Sequence, residues 1–398
     1  MTDKPKARYT SVTIEGFRLF EHLELTDLAP VNLFFGPNNV GKTSILEAIY
    51  THACGHSFDH FLRRVVTRRT EGLSAGVLGL AEQILHVFRD RSEPPYTFAI
   101  SAQVLGDETI DNLTASFEPG SVMANLDPRT LGPPSDDWYS DAGARNGALA
   151  NVTQLELYSF GAPDRQKLFL GAWETQINDG ETTRLNLYLP FNILPVMLPF
   201  KLGVMHDILA HRSLQSSRQI FASLKRYRLL ADFTAKMRQV FEDVDEIDLY
   251  PYPDGTSGVV MIVTSDGQQC PLYVSGDGMR RWYHLLGNMI VYRDAVHCIE
   301  EIDATFHPAA QPDLARLLVE YANTYNNQLF LTSHSIEFLD AFLQALYAQG
   351  EGSVPDEQDP VRVFTIMPPE TGVQPVVWSR SGRQACDDRR KYGMELRG

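Results

Sequence analysis

Residues 36–43 have the types and spacing of a phosphate-binding loop, which predicts that the chain binds a nucleoside triphosphate. Two glycines, at positions 36 and 41, permit a backbone that turns successive N–H groups toward a β-phosphate. In such a loop Lys42 reaches the β- and γ-phosphate oxygens, and the Thr43 hydroxyl faces Mg²⁺. A glycine turn with an incidental lysine is the alternative. The predicted nucleotide-binding residues here are Gly36, Pro37, Asn38, Asn39, Val40, Gly41, Lys42, Thr43 and Ser44.

The elements that position this loop are a strand before it and a helix after it. Residues 31–35 form an apolar run typical of a buried strand, and residues 44–49 begin a helical pattern. The N-terminus of such a helix carries positive partial charge, which faces bound phosphates. The strand–loop–helix order therefore favours the phosphate loop over the incidental turn.

An acidic pair at the end of a second predicted strand supplies the carboxylates that triphosphate hydrolysis requires. Residues 295–299 form a mostly apolar run that leads into Glu300 and Glu301. We predict that Glu300 holds Mg²⁺ through water, and that Glu301 orients or deprotonates the attacking water as the catalytic base. Taken alone, an acidic pair in this position is also typical of an ordinary surface strand end.

A third predicted strand, residues 328–333, ends at a histidine that can contact a γ-phosphate. A lone histidine at a strand end is more often structural. Because the phosphate loop and the acidic pair are already present, we predict that His334 is a γ-phosphate sensor. The predicted catalytic residues are thus Lys42, Glu301 and His334.

A glycine-flanked serine precedes another helical run. Ser275, Gly276 and Gly278 stand before residues 282–292, and helix N-termini of this composition bind anions. An ordinary helix cap is the alternative. In a single subunit this segment has no reason to face Lys42, but in a head-to-tail pair it can close over the partner's nucleotide.

The set and order of these motifs resemble the ABC-type ATPase heads of the SMC/RecF/OLD-like group, which includes AAA-family ATP-binding proteins of bacterial defence systems. The resemblance covers residues 9–50 and 247–345. It implies that residues 36–43 are the Walker A loop, residues 275–278 the signature, residues 296–301 Walker B, residues 304–308 the D-loop region and His334 the switch histidine.

Three residues depart from the pattern of that group. Glu300 stands where aspartate is usual, which lengthens the metal-side carboxylate by one methylene and predicts slow hydrolysis. Asp277 adds a negative charge to the signature, and His307 occupies a position that is aspartate in transporter heads. The resemblance also implies a glutamine that links the lobes to Mg²⁺. Four candidates stay open: Gln83, Gln103, Gln154 and Gln166.

The resemblance and the strand pattern predict an α/β fold, a two-lobe ABC-type P-loop ATPase head with a mixed central sheet, an antiparallel β edge and a helical insertion. Residues 9–20 and 23–25 are the predicted hairpin of that edge. The predicted divisions are residues 1–200 for the N-terminal half, including a loop-rich insertion at 107–150, residues 201–246 for the helical insertion and residues 247–398 for the C-terminal half.

Composition excludes several other classes of protein. The chain of 398 residues is 43% hydrophobic, which supports a sizeable core. Its four cysteines lack the spacing of a metal knuckle or a secreted disulfide framework, so a cytoplasmic location is predicted. Residues 1–6 lack the apolar core of a signal peptide, so no secretory leader is predicted. The most apolar stretch, residues 185–200, is interrupted by prolines, which favours a buried wall over a membrane span.

The formal net charge of −15 argues against a protein that coats nucleic acid with its whole surface. Two local basic clusters leave duplex DNA as a partner to consider. The favoured interpretation of both is a solvated helix face that pairs with the acidic excess. The clusters are Arg63, Arg64, Arg68 and Arg69, and His211, Arg212, Arg218, Lys225, Arg226 and Arg228.

The leading hypothesis is an ATPase with ATP and Mg²⁺ as cofactors that dimerises on ATP and forms a homodimer or a higher homo-oligomer. It would act as a sensor or scaffold in bacterial anti-phage defence with a separate, nuclease-like effector. About fifty residues follow the His334 region, too few for the Toprim nuclease that OLD-type relatives carry. The alternatives are a RecF-like DNA-repair ATPase that binds duplex DNA and an ATP-binding module without turnover. A transporter ATPase is least favoured.

Overall fold

A computed structural model describes most of the chain. The described residues are 8–54, 61–66, 68, 83–105, 110–119, 149–159, 166–176, 182–190, 203–252, 258–347, 358–369 and 374–392. The strands in these ranges are β1 (Tyr9–Phe17), β2 (Phe20–Leu25), β3 (Val31–Phe35), β4 (Tyr96–Val104), β5 (Ile110–Pro119), β6 (Leu149–Ser159), β7 (Gln166–Gln176), β8 (Thr182–Pro190), β9 (Gly203–His206), β10 (Val244–Pro251), β11 (Gly258–Thr264), β12 (Gln269–Pro271), β13 (Val296–Ile299), β14 (Gln328–Ser333), β15 (Val361–Met367) and β16 (Val376–Ser381). The α-helices are α1 (Lys42–Ala53), α2 (Leu214–Arg226), α3 (Leu230–Val240), α4 (Asp277–Val291), α5 (Gln311–Thr324), α6 (Ile336–Tyr347) and α7 (Gly382–Tyr392).

The central sheet has six strands in the order β16-β15-β3-β14-β13-β9. Five of them run parallel, and β16 pairs antiparallel with β15 at one edge, so the predicted mixed sheet is confirmed. Strand β3, from the N-terminal part of the chain, lies between β14 and β15 from the C-terminal part. Every residue of β3 and β14 is buried, as expected for parallel strands that are covered on both faces.

Helix α1 packs between this sheet and a seven-stranded antiparallel sheet of order β2-β1-β4-β5-β6-β7-β8. Side chains alternate along β3 because successive residues of a strand point to opposite faces. Phe34 packs in the core that includes α1, whereas Leu33 and Phe35 pack in the core formed with helices α2 to α7. The phosphate-loop helix is thus held from two sides.

The antiparallel part of the fold is larger than the sequence indicates. The predicted N-terminal hairpin is confirmed, with Ile14 of β1 beside Leu23 of β2, and it belongs to the seven-stranded sheet. Strand β5 lies inside the region predicted as a loop-rich insertion, so that part of the prediction is wrong. Pairing with β4 along its length overrides the polar composition of this segment. Residues 107–109 and 120–148 of that insertion lie outside the described residues.

Strand β9 lies inside residues 201–246, the predicted helical insertion, and corrects that prediction at its start. It pairs parallel with β13, with Met205 beside Cys298. Four residues are too few for a hydrophobic period to show in the sequence, and the partner strand lies far along the chain. Gly203 is required by close packing, because a Cβ there would lie 2.8 Å from the Cys54 Sγ. The helices of the predicted insertion are α2 and α3.

Within the described ranges, the structure contains no helix with both the length and the apolar character that crossing a bilayer requires. Of the apolar stretch 185–200, the part up to Pro190 belongs to β8. Residues 191–200 lie outside the described residues.

Three histidines are buried where β9, β13 and α4 meet. The Nε2 of His206 lies 3.0 Å from the Nδ1 of His297, and the ring centroid of His284 lies 5.7 Å from that of His206. Burial lowers the pKa of His284 and of His297 to about 4, and it lowers the pKa of His206 well below the ordinary value. The folded protein therefore keeps these rings neutral at pH 7.

We expect the free energy of unfolding to decrease as the pH falls from 6.5 toward 4. An unfolded histidine takes up a proton near pH 6.5, whereas the folded one resists protonation. The stability that the neutral buried rings contribute is therefore present above pH 6.5 and is lost as the pH falls below it. At pH 5 the loss is about 2 kcal/mol each for His284 and His297, whose pKa values are about 4. Urea unfolding at pH 7 and at pH 5 measures this difference in the free energy of unfolding. A His284→Gln variant should show a smaller difference between the two pH values, and an unchanged difference would contradict this origin.

Candidate functional site

Three of the predicted motifs meet at one edge of the central sheet. Parallel strands β3, β14 and β13 are neighbours, and their carboxyl ends lead into the phosphate loop, His334 and Glu300. Ser333 of β14 lies beside Phe35 of β3, and Leu331 lies beside Ile299 of β13. The lysine loop and the paired glutamates are therefore separated by the width of one strand.

The backbone of the phosphate loop requires glycine at both predicted positions. Gly36 has φ 156° and Gly41 has φ 96°, values that side-chain-bearing residues rarely adopt. A Cβ on Gly36 would lie 2.3 Å from the carbonyl oxygen of Ile366, and a Cβ on Gly41 would lie 2.7 Å from the ring of Phe20. Strands β15 and β2 thus hold the loop so closely that only bare backbone fits.

Lys42 and Thr43 are the first two residues of α1. The Lys42 ammonium donates hydrogen bonds of 2.7 Å to the carbonyl oxygens of Gly36 and Pro37, so it lies back over the loop. Thr43 is only half-buried, and its hydroxyl stands at the positive end of the helix. Both side chains therefore lie where the loop meets the N-terminus of α1.

The lysine of the loop and the acidic turn interact electrostatically. Burial lowers the pKa of Lys42, and the carboxylates of Glu301 and Asp303 act in the opposite direction. The Oδ1 of Asp303 is buried and has no hydrogen-bond partner among the described residues. Sequence reasoning missed Asp303. Its signal was an acidic residue in the same turn as the glutamate pair.

Glu301 sits in a backbone conformation that is uncommon for residues other than glycine, with φ 42°. Thr332 of the neighbouring strand β14 holds the turn through two hydrogen bonds of 2.9 Å. The Glu301 N–H donates to the Thr332 Oγ1, and the Ile302 N–H donates to the Thr332 carbonyl oxygen. Such strain persists only where surrounding contacts fix it, and it occurs often at active sites. These bonds fix the backbone from which the Glu301 carboxylate projects.

Arg281 is a second residue that sequence reasoning missed. It lies on α4, is 2% exposed, and its Nη2 donates to the carbonyl oxygens of Glu300 and Glu301 at 2.6 and 2.7 Å. The helix that follows the signature is therefore tied to the Walker B turn. Nothing in the sequence distinguishes this buried arginine from Arg280 beside it.

The signature residues lie at the start of α4, as predicted. Ser275 is half-buried, and a Cβ on Gly276 would meet no heavy atom within 4 Å, so the backbone here is open to an approaching group. A Cβ on Gly278 would lie 3.2 Å from the carbonyl oxygen of Thr305, in the D-loop region.

The extra charge of Asp277 is balanced inside its own subunit. Its carboxylate pairs with Arg280 one turn later in α4, and with Arg212, whose Nη2 lies 3.0 Å away. The Nε2 of His211 lies 3.6 Å from it. The departure at Asp277 therefore leaves no uncompensated negative charge beside the signature.

Glu300, the predicted metal ligand, is paired with an arginine. Arg68 approaches both carboxylate oxygens, at 2.7 and 2.9 Å, and the Arg68 side chain is 8% exposed. Arg68 thus pairs with acidic side chains, as the favoured interpretation predicts, but its side chain is buried and does not lie on a solvated helix face. A π-helical turn, Leu62–Val66, lies shortly before Arg68 and buries two valines.

The other arginines of that cluster differ from Arg68. Arg64 is exposed and lies 3.9 Å from Asp207. The side chain of Arg63 and the whole of Arg69 lie outside the described residues.

The sheet order separates the four glutamine candidates. Gln154 lies on β6 and Gln166 on β7, and strands β4 and β5 stand between them and β1. Gln103 lies on β4, next to β1. Gln83 precedes a segment whose Phe88 pairs with β1. The contact between one of these glutamines and Mg²⁺ stays a prediction, with all four as candidates.

Comparisons with known proteins find ATPase domains in both parts of the chain. A family model described as an AAA domain, putative AbiEii toxin of a Type IV TA system, matches residues 199–340, and an AAA ATPase domain model matches residues 9–90. The chain is 20% identical to an ATP/GTP phosphatase of Helicobacter pylori (strain ATCC 700392 / 26695) over 356 residues, which cover 84% of this chain and 88% of that protein.

Two further similarities are shorter or more distant. The DNA replication and repair protein RecF of Shewanella baltica (strain OS155 / ATCC BAA-1091) is 41% identical over 66 residues, which cover 16% of this chain and 18% of RecF. The SMC head domain from Thermotoga maritima is 13% identical with a TM-score of 0.37, over 94% of this chain and 99% of that chain. The family models and the curated relatives, taken with the fold, support an ATPase of the AAA and RecF type.

Proposed function

We propose that this chain binds ATP with Mg²⁺ and hydrolyses the β–γ bond at a site shared between two subunits. The observation that carries the proposal is the meeting of the phosphate loop, Glu301 and His334 at adjacent ends of parallel strands. The electrostatic interaction between Lys42 and Glu301 supports a single space bordered by both motifs.

The residues at this edge fit a magnesium nucleotide. Gly41, at the start of α1, offers no side chain to bond the first backbone N–H groups of the helix, so phosphate oxygens could bind there. The Thr43 hydroxyl and the Glu300 carboxylate are oxygen ligands of the kind Mg²⁺ prefers. When bound, Mg²⁺ supplies charge neutralisation at the β- and γ-phosphate oxygens.

Each catalytic side chain has a separate task in this proposal. Lys42 exchanges the carbonyl oxygens of Gly36 and Pro37 for phosphate oxygens and binds the β- and γ-phosphates. Glu301 orients a water molecule and accepts its proton at the side-chain carboxylate. His334 is exposed at the end of β14, and it hydrogen-bonds the γ-phosphate as a sensor.

The signature completes the site from the neighbouring subunit. The start of α4 offers an open backbone at Gly276 and the positive end of a fifteen-residue helix. Ser275, Gly276 and Gly278 then bind the γ-phosphate held by the partner. Because each nucleotide would join two subunits, ATP drives dimerisation in this proposal.

We further infer a biological role as a sensor or scaffold in anti-phage defence, working with a separate nuclease-like effector. The family model that names a toxin of a Type IV TA system supports this role. Phage plating on cells carrying this chain with its neighbouring genes, compared with the neighbouring genes alone, tests it. Equal plating efficiencies would exclude the role.

Phosphate release from ATP, measured with Mg²⁺ and with excess EDTA, tests the proposed chemistry. We expect steady turnover with Mg²⁺ and none with EDTA, because charge neutralisation by the metal is part of phosphoryl transfer. ATP binding without phosphate release in either condition would identify a binding module that does not turn over. The absence of ATP binding would refute the whole proposal.

A further inference from the structure

The Arg68 guanidinium joins two carboxylates that come from different parts of the fold. It lies 3.0 Å from the Oε1 of Glu47 on α1, and it contacts both carboxylate oxygens of Glu300 at the end of β13. The side chains of Arg68, Glu300 and Glu47 are 8%, 12% and 0% exposed. Water screens such a group weakly, so these ion pairs are stronger than surface pairs.

This bridge lies beside the proposed metal position. Glu47 follows Thr43 by one turn of α1, and residues four apart on a helix lie on the same face, about 6 Å apart. Glu300, at the end of β13, is joined to that face of α1 because Arg68 contacts both Glu300 and Glu47. The guanidinium therefore stands on the side of α1 that carries the Thr43 hydroxyl.

Arg68 and a divalent cation compete for the same carboxylate. The Nη2 of Arg68 donates a hydrogen bond to the Oε1 of Glu300, and its Nη1 lies 2.7 Å from the Oε2, so charged contacts involve both carboxylate oxygens. A second positive charge at that carboxylate would be repelled by the first. The extra methylene of Glu300, relative to the aspartate usual in this group, extends the reach of the carboxylate toward Arg68.

We propose that the Arg68–Glu300 ion pair is a latch that must open before Glu300 can hold Mg²⁺. This inference rests on the proposed ATPase site and deepens it: Arg68 is a positioning residue that sets how strongly nucleotide binding depends on Mg²⁺. Opening breaks one side of the bridge, and Arg68 keeps its contact with Glu47.

The Glu47 side of the bridge is firmly anchored. Its carboxylate also pairs with the Nε of Arg18 at 2.6 Å, and Arg18 in turn donates to the carbonyl oxygen of Val65 at 2.9 Å. Two arginines from separate segments thus share one fully buried carboxylate. Arg68 can leave Glu300 without leaving a buried charge unpaired at Glu47.

The test measures the affinity for a non-hydrolysable β,γ-imido analogue of ATP, in Mg²⁺ and in EDTA, for wild type and for Arg68→Gln. The ratio of the two affinities reports the coupling between metal and nucleotide. If the latch is closed in about nine of ten wild-type molecules, removing it raises this ratio about tenfold. Affinity in EDTA should stay unchanged. Arg64→Gln, an exposed arginine of the same segment, should leave both values as in wild type.

Two further variants keep the proposal falsifiable. Arg68→Lys keeps the charge but lacks the two-pronged geometry, so we expect the ratio of affinities to rise less, by about threefold. This variant replaces Arg68→Gln in the test if thermal unfolding shows that Arg68→Gln does not fold. In a Glu300→Gln background, Arg68→Gln should no longer change the ratio, because the two residues act as a pair.

The outcomes separate the latch from the proposed ATPase function. A ratio that is unchanged or lower in folded Arg68→Gln overturns the latch, and a lower affinity in EDTA assigns Arg68 to nucleotide binding instead. Failure of wild type to bind the analogue in either condition would refute the ATPase function itself.

Discussion

Replacing Glu301 by glutamine is expected to slow phosphate release from ATP by about 100-fold or more, the usual contribution of a positioned general base. Glutamine keeps the size of the side chain and both backbone bonds to Thr332, so the strained turn at φ 42° should persist. Only the capacity to accept a proton is lost. ATP affinity should stay within about threefold of wild type, since Lys42 and the loop are unchanged.

The measurement is single-turnover hydrolysis beside equilibrium binding of ATP. Glu246→Gln on β10 is the matched control, because it makes the same chemical change at an exposed position and should hydrolyse ATP at the wild-type rate. Equal rates for wild type and Glu301→Gln would eliminate Glu301 as the base. A variant that lost ATP binding as well would show that Glu301 maintains the turn rather than the chemistry.

The site motifs could be predicted because each is local and because parallel strands share an edge. The loop at Gly36, the acidic pair at Glu300 and the histidine at position 334 each follow an apolar run that the structure confirms as a strand. Three parallel neighbours must then present their carboxyl ends together. This geometry follows from topology once the strands are known to be adjacent.

The buried charges could not be predicted, because their partners are distant in sequence. Arg68 lies 232 positions from Glu300, and in the sequence it looks like any other member of a basic cluster. Arg281 likewise resembles Arg280 beside it, which is half-buried and pairs with Asp277. A periodic pattern records which face of an element is apolar, but it does not record which cation will meet a buried carboxylate.

The short strand β9 and the polar strand β5 were missed for a related reason. Both are strands because another strand pairs with them, β13 in the first case and β4 in the second. The fold decides the conformation of such segments, and local propensity contributes little. β9 also matters for the site, since the Glu300 N–H donates to the carbonyl oxygen of His206 at 3.0 Å.

Mixing Lys42→Ala subunits with Ser275→Arg subunits is expected to restore ATP hydrolysis that neither variant shows alone. In the proposed dimer each site takes Lys42 from one subunit and Ser275 from the other. A mixed pair then contains one site with both residues intact and one site with neither. If subunits pair at random and the two sites act independently, an equal mixture regains about a quarter of the wild-type rate.

A second mixture provides the control, because Lys42 and Glu301 belong to the same half of a site. Lys42→Ala with Glu301→Gln yields mixed pairs in which no site is complete, so this mixture should remain inactive. Arg281 adds a reason to expect coupling between the two shared sites. Within one subunit it ties the start of α4, where the signature lies, to the turn that carries Glu301. If folded Lys42→Ala and Ser275→Arg subunits form dimers with ATP yet regain no hydrolysis, the site is not shared between subunits.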